Sequence, residues 1–345
     1  MKLRSLTLFL AVLMMAAAPA VSLAQRPAKP SGLVSYITGN ANDSSRGPSN
    51  GPVICLQGGN FDIDEAFENR VWPVLNGGDV VVLRTDNSSG YQSYLYNITG
   101  SNNRRPDSVE TIVVNSRTKA NSSYVDWVLR TAEFIYIAGG DQAEYLNYWK
   151  DTKVESAIRA AYNRGAAIGG ISAGCAVMGE FIYDPDGVPG VTTSEAVSNP
   201  YRSSMIISNG FVAPGLTNDI ITDTHFYERD RMGRSMAFMA RLRQDGRTAK
   251  ITAVCVDEDT AMTIDRNRVG RVDGDGYVYV LREDGATYRR QVRSGQPLRY
   301  EDVLCHDVPA GGSFNFGNNT SSRAAYRVDV DGRYPSAPYT PSNPY

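Results

Sequence analysis

Three apolar runs in this chain stop at a glycine pair: "GPVICLQGG", "EFIYIAGG" and "AAIGGIS". Together with "DVVVLRT" and "ETIVVNS" they alternate with helical patterns such as "DIDEAFENRVWPVL", "SSYVDWVLRTA" and "DQAEYLNYWKDTKVESAIRAAYNRG". A strand that is apolar along its whole length has to be covered on both faces. Strand-then-helix alternation supplies that cover when the strands run parallel. The expected fold is therefore α/β, a mostly parallel sheet flanked by helices. Further on, "KITAVCVDEDTAMTIDRNRVGRVDGDGYVYVLRED" reads as a strand followed by C-terminal β-hairpins with glycine turns.

The ends of the chain read differently. "MKLRSLTLFLAVLMMAAAPAVSLAQ" sets Lys2 and Arg4 before an apolar run that closes on Ser22-Leu23-Ala24, the pattern of a secretory signal peptide cut after Ala24. The run is shorter than a membrane span and contains Pro19, so no membrane association is expected once it is removed. Residues 25–49 read as an N-terminal linker, 50–334 as one α/β domain, and the Pro/Ser/Tyr stretch 335–345 as a loose tail. Net charge is only −2, and the leader takes two positive charges with it, so no basic face invites nucleic acid. Cys55, Cys175, Cys255 and Cys305 are scattered and, with only two histidines, show no metal-ligand spacing. No metal or cofactor is expected, and the cysteines fit buried thiols as well as a bridge.

In parallel sheets ligands bind beyond the carboxyl ends of the strands. Three glycine loops belong there: Gly58-Gly59-Asn60, Gly139-Gly140-Asp141-Gln142 and Gly169-Gly170-Ile171-Ser172. The last continues to Ala173 and Gly174 and matches G-x-S-x-G between a strand and a helix. On so sharp a turn the residues two before and two after the serine must be small, and the turn aims backbone N–H groups at the space above the hydroxyl. A tight strand–helix junction, or a nest that cradles phosphate, would use the same residues. The polar loop 184–204 borders the same end.

A serine nucleophile needs a base. His225 lies in "IITDTHFYERDRMGR", where an apolar run meets a charged helix start, and His306 lies in "EDVLCHDVPAGG". A serine–acid–histidine order would use His306 with Asp257 or Glu258, as in an α/β-hydrolase esterase; a serine–histidine–acid order would use His225 and Glu258. The charged surroundings and strand-to-helix position favour His225.

Here the residues resemble a family. "GGDQ" at 139–142, "GGISAG" at 169–174, "DTHFYERDRMGR" at 223–234 and "VDEDTA" at 256–261 stand in the order and approximate spacing of cyanophycinases, within the serine peptidase family that includes the aspartyl dipeptidase peptidase E. The resemblance implies a class I glutamine-amidotransferase-like fold. It implies hydrolysis of multi-L-arginyl-poly-L-aspartate to β-aspartyl-arginine dipeptides by an exopeptidase. It makes Ser172 the nucleophile, His225 the base and Glu258 the acid, with oxyanion N–H groups from Gly140 and Ala173. Asp141, Gln142, Asp223, Arg229, Arg231 and Arg234 would line the substrate cleft. A solvated helix start with internal ion pairs is the bland alternative for Arg229, Asp230 and Arg231. Thr224, Ile171 and Cys175 depart from the glutamine, threonine and alanine usual in cyanophycinases. The leader points to a secreted or periplasmic scavenger of peptide or polymer, and a homodimer is the assembly carried forward. A peptidase E-like dipeptidase, the esterase with His306, and a non-catalytic binding module on the same fold are the competing functions.

Overall fold

The apolar runs are strands whose two faces feed two different cores. The computed structural model describes residues 25–212 and 215–345, so the expected signal peptide lies outside the described residues. In chain order the first strands are β1 (Val34–Gly39), β2 (Val53–Gln57), β3 (Asp79–Arg84), β4 (Ser108–Val113), β5 (Phe134–Ile137) and β6 (Ala167–Ile171). Along β3, Val81 and Leu83 join one core, with Val125 and Leu129 from the helix Ser123–Thr131 and Ile158 from Lys153–Asn163. Val80 and Val82 join the other, with Phe67 and Trp72. Helix starts fall where short polar side chains satisfy free N–H groups: Ser122, Asp141 and Thr152 each accept a hydrogen bond from the first turn.

The chain continues through β7 (Phe181–Tyr183), β8 (Ile207–Asn209), β9 (Ile220–Asp223), β10 (Thr252–Val256), β11 (Thr260–Ile264), β12 (Val269–Gly274) and β13 (Tyr277–Arg282). It closes with β14 (Tyr288–Gln291), β15 (Arg299–Pro309), β16 (Ser313–Asn315), β17 (Thr320–Ser321), β18 (Tyr326–Asp331) and β19 (Tyr339–Thr340). Among the described residues these form two sheets. One has the order β1-β4-β3-β5-β6-β2-β11-β12-β16-β17, the other β19-β18-β15-β13-β10-β9-β7-β8 with β14 beside β15.

The expectation of a mostly parallel sheet needs correction. Parallel pairing is confined in the first sheet to β4-β3-β5-β6-β2, and in the second to β10-β9 and β9-β7. The remaining pairs are antiparallel, so the fold is mixed α/β. After Lys250 the expected strand and hairpin are present as β10 and the antiparallel pair β11–β12, but β10 and β11 enter opposite sheets and the chain crosses between them at Asp257–Asp259. Helix-covered strands announce themselves by periodicity, whereas which edge a later strand joins depends on pairing partners far away in sequence.

Both terminal stretches are also more ordered than composition suggested. The linker carries β1, paired with β4, and Arg26 reaches Glu110. The tail carries β19, and Tyr345 lies edge-on to Phe226, Tyr227 and Tyr279 with ring centroids 5.3–5.7 Å apart. The Tyr339 and Tyr345 hydroxyls both donate to Asp230 Oδ1, at 2.6 and 2.8 Å, and accept from the N–H groups of Gly233 and Met232 in the first turn of the helix Met232–Gln244. Aromatic packing and donors left free at a helix start hold a Pro-rich segment that has no core of its own.

Tyr345→Ala removes that edge-on ring and one cap together. Denaturant unfolding should show a loss of roughly 1–3 kcal/mol, where a loose tail would show none.

Candidate active site

Ser172 stands between β6 and the short helix Ala173–Ala176, with φ 53° and ψ −118°, a backbone region that ordinary residues enter only when their surroundings force them. The forcing is visible. A Cβ on Gly174 would lie 2.0 Å from the Ile137 carbonyl oxygen, and one on Gly170 would lie 2.5 Å from the Gly174 carbonyl carbon. Strand, turn and helix close on the end of β5, and the residues two before and two after the serine have no room for a side chain. The Ser172 N–H is tied to the Gln57 carbonyl of β2, at 3.0 Å.

Since β5, β6 and β2 are neighbours, the three glycine loops that follow them meet at one edge. The second sheet delivers the other two groups. Parallel strands β9 and β10 pair Asp223 with Cys255, so their continuations carry His225 and Glu258 to the same place. The His225 ring lies directly over Gly59, where a Cβ would fall 2.1 Å from Cε1. Backbone bonds from His225 N–H to the Gly58 carbonyl and from Asp259 N–H to the Gly59 carbonyl, both 3.1 Å, lock the two sheets together there. Ser172 Oγ is 2.8 Å from His225 Nε2, and His225 Nδ1 is 2.5 Å from Glu258 Oε1.

His225 is buried, and that burial lowers its basicity below the ordinary histidine value; the Glu258 hydrogen bond opposes the fall, and Arg229 and Arg231 add to it. At neutral pH the ring is uncharged, and it can take a proton from the serine hydroxyl. His306 is placed elsewhere, on β15 with its ring centroid 5.1 Å from that of Phe314. Asp257, the acid considered with it, is occupied: its carboxylate accepts from the N–H groups of Tyr227 and Tyr277, and burial pushes it up to about 7.

The family model described as peptidase family S51 matches residues 105–272, a span that contains Ser172, His225 and Glu258. The chain is similar to the S51 peptidases. Cyanophycinases of Nostoc sp. and Trichormus variabilis are each 28% identical to it over 225 residues, 64% of this chain and 70% of theirs. A solved peptidase from an acI-B1 actinobacterium shares the fold at a TM-score of 0.50 and 15% identity, covering 77% of this chain and 97% of its own. Family and relatives together support a peptidase-type hydrolase.

Against the substrate groups that the S51 resemblance implies, the structure divides the set. Arg234 and Asp223 are buried and joined to each other by Nε at 2.9 Å and by a second guanidinium nitrogen, and Ser235 donates to the same carboxylate at 2.7 Å. Burial alone would raise the Asp223 carboxyl, but the Arg234 and Arg231 guanidiniums hold it below the usual carboxylate range. Arg231 donates to the Thr224 carbonyl at 2.7 Å and reaches Asp223 at 3.4 Å, and burial brings it down to about 10. Asp223, Arg231 and Arg234 form an internal ion-pair network: both prongs of Arg234 close on Asp223, while Arg231 spends one guanidinium nitrogen on Asp223 and Thr224. Arg229 is different: its side chain is 53% exposed, and its guanidinium lies 4.0 Å from Glu258. Asp141 caps its own helix through the Ala143 N–H, and Gln142 reaches the Tyr183 carbonyl at 3.5 Å. Gly139 runs beside Ser172, the neighbour of Gly140 on one side as Ala173 is of Ser172 on the other.

Sequence reasoning missed the opposite wall. A cleft of about 320 Å³ in front of Ser172 and His225 is lined, besides Gly59 and Asn60 of the first glycine loop, by Asp62, Arg84 and Tyr91. Two of them carried a readable signal: Asp62 follows the first glycine loop and Arg84 closes β3 at the ligand-binding end of the sheet. All four cysteines are buried free thiols.

The division of the arginines is measurable. Arg234→Ala strands a buried Asp223 charge and should cost about 3–5 kcal/mol of unfolding free energy, whereas Arg229→Ala should stay within about 0.5 kcal/mol. Thermal and denaturant melts of the two variants side by side check this.

Proposed function

We propose that this chain is a serine exopeptidase of cyanophycinase type, hydrolysing multi-L-arginyl-poly-L-aspartate to β-aspartyl-arginine dipeptides through an acyl-enzyme on Ser172. The observation that carries the reading is the continuous hydrogen-bonded series Ser172–His225–Glu258 on a strained strand–helix turn. His225 Nε2 accepts the hydroxyl proton as Ser172 Oγ attacks the scissile carbonyl, and Glu258 holds the Nδ1–H and stabilises the imidazolium. The N–H groups of Gly140 and Ala173 receive the oxyanion. The protonated His225 then gives its proton to the departing amine, and a water activated by the same ring releases the acyl group.

Arg229 is the fork left for a substrate carboxylate, while Asp223, Arg231 and Arg234 act behind it by fixing the shape of the His225 turn. Thr224, in place of the usual glutamine, spends its carbonyl on Arg231. The parallel strands β4-β3-β5-β6-β2 support the glutamine-amidotransferase-like reading of the fold. Residues 1–24 support export, and with it a scavenging role on polymer or peptide outside the cell.

Incubating the enzyme with purified cyanophycin should release β-aspartyl-arginine, detected by mass spectrometry. Cleavage of short aspartyl dipeptides without cleavage of polymer would make it a dipeptidase instead. Ser172→Ala and His225→Ala should each lower turnover by roughly a thousandfold or more, and His306→Ala should leave it intact. The reverse pattern for the two histidines would favour the esterase. Since the working base is the unprotonated ring and its basicity is lowered, the acid limb of kcat/KM should have its midpoint below pH 6.5.

A further inference from the structure

The cleft in front of Ser172 contains one carboxylate with no cation of its own. Asp62 lines it, partly exposed. Burial raises the Asp62 carboxyl above its ordinary value and Asp64 adds to the rise, while hydrogen bonds from the Tyr136 and Tyr91 phenols oppose it. Arg84, the cation in the same cleft, is already committed: it forms a two-pronged pair with Asp86, both contacts 2.7 Å. Across the cleft His225 is neutral. Among the described residues no basic side chain forms an ion pair with Asp62, so the wall facing Ser172 presents a carboxyl without a counter-charge, backed by aromatic rings.

We propose that Asp62, with Tyr91 beside it and Tyr136 behind it, is a cation subsite that receives the guanidinium of a substrate side chain next to the scissile bond. A half-buried carboxylate gains most from a partner that brings two donors in one plane, and a tyrosine ring at its side offers a face on which that plane can lie. An ammonium would satisfy the charge but would use neither the fork nor the ring. Tyr136, fully buried, fixes Oδ1, and because each carboxylate oxygen can accept more than one hydrogen bond, the two phenols leave acceptor capacity for the ligand. For its ligand class the proposal rests on the cyanophycinase-type reading, but its test does not require that polymer.

The probe pair is arginine amide and citrulline amide, nearly the same shape with and without the charge. Calorimetry on the full-length wild-type protein should show arginine amide binding roughly ten- to a hundredfold more tightly. In Asp62→Asn, which keeps an acceptor for the Tyr136 hydroxyl, the preference should collapse to about twofold or less, with the melting temperature recorded on the same preparation. Arginine amide should also slow fluorophosphonate labelling of Ser172, and citrulline amide should not. Equal binding of the two amides to wild type, retained preference in Asp62→Asn, or tight arginine amide binding without protection of Ser172 each overturns the subsite. Should Asp62→Asn fail to fold, the wild-type comparison and the protection assay still decide. Absence of any labelling would count against the serine nucleophile, and the calorimetry would judge the subsite separately.

Discussion

Everything in the site depends on how closely β6 and the helix after it approach the end of β5. With the Gly174 α-carbon set against the Ile137 carbonyl, the chain has to turn within one residue, and Ser172 takes a backbone conformation that it would not hold in isolation. The strain is maintained by strands buried on both faces, because relaxing the turn would pull β6 away from β5 and β2. What results is a hydroxyl held out from the sheet edge, with little freedom to lose when it reacts.

The second requirement is that two sheets agree. Ser172 belongs to one, while His225 and Glu258 belong to the other, and the backbone bonds through Gly58 and Gly59 hold them in register. Residues His225 and Asp230 both have positive φ, so the turn between them is held from outside. Arg231 and Arg234 hold it from within through Asp223 and Thr224, and Tyr339 and Tyr345 cap it from the tail. A dense run of charge after a histidine can thus serve two purposes. Its buried members keep His225 in place, and its exposed member, Arg229, stays open to solvent beside Glu258.

Much of the site was legible because its chemistry is local. G-x-S-x-G is a steric demand written within five residues, glycine loops mark where strands end, and two histidines leave a short choice of base. Asp62 and Arg84 were harder to see, since their one signal, a place at the carboxyl end of a strand, is shared by many solvated residues, and Tyr91 carried none. Arg231 and Arg234 illustrate the converse: their sequence neighbourhood is that of a ligand-binding cluster, and only burial shows that their partner is Asp223.

The amino-acid sequence by itself determined the parallel centre of the sheet, the glycine-bounded turn at Ser172 and a choice of base between two histidines. Each follows from periodicity, steric room or the scarcity of a residue type, which are properties of short stretches. The tertiary structure alone decided that antiparallel strands extend both sheets, that the linker and tail pack into the fold, which arginines are spent internally, and which carboxylate faces Ser172. Those outcomes depend on pairing and burial between segments far apart in the chain, where the free energy belongs to the contact and neither segment carries it alone.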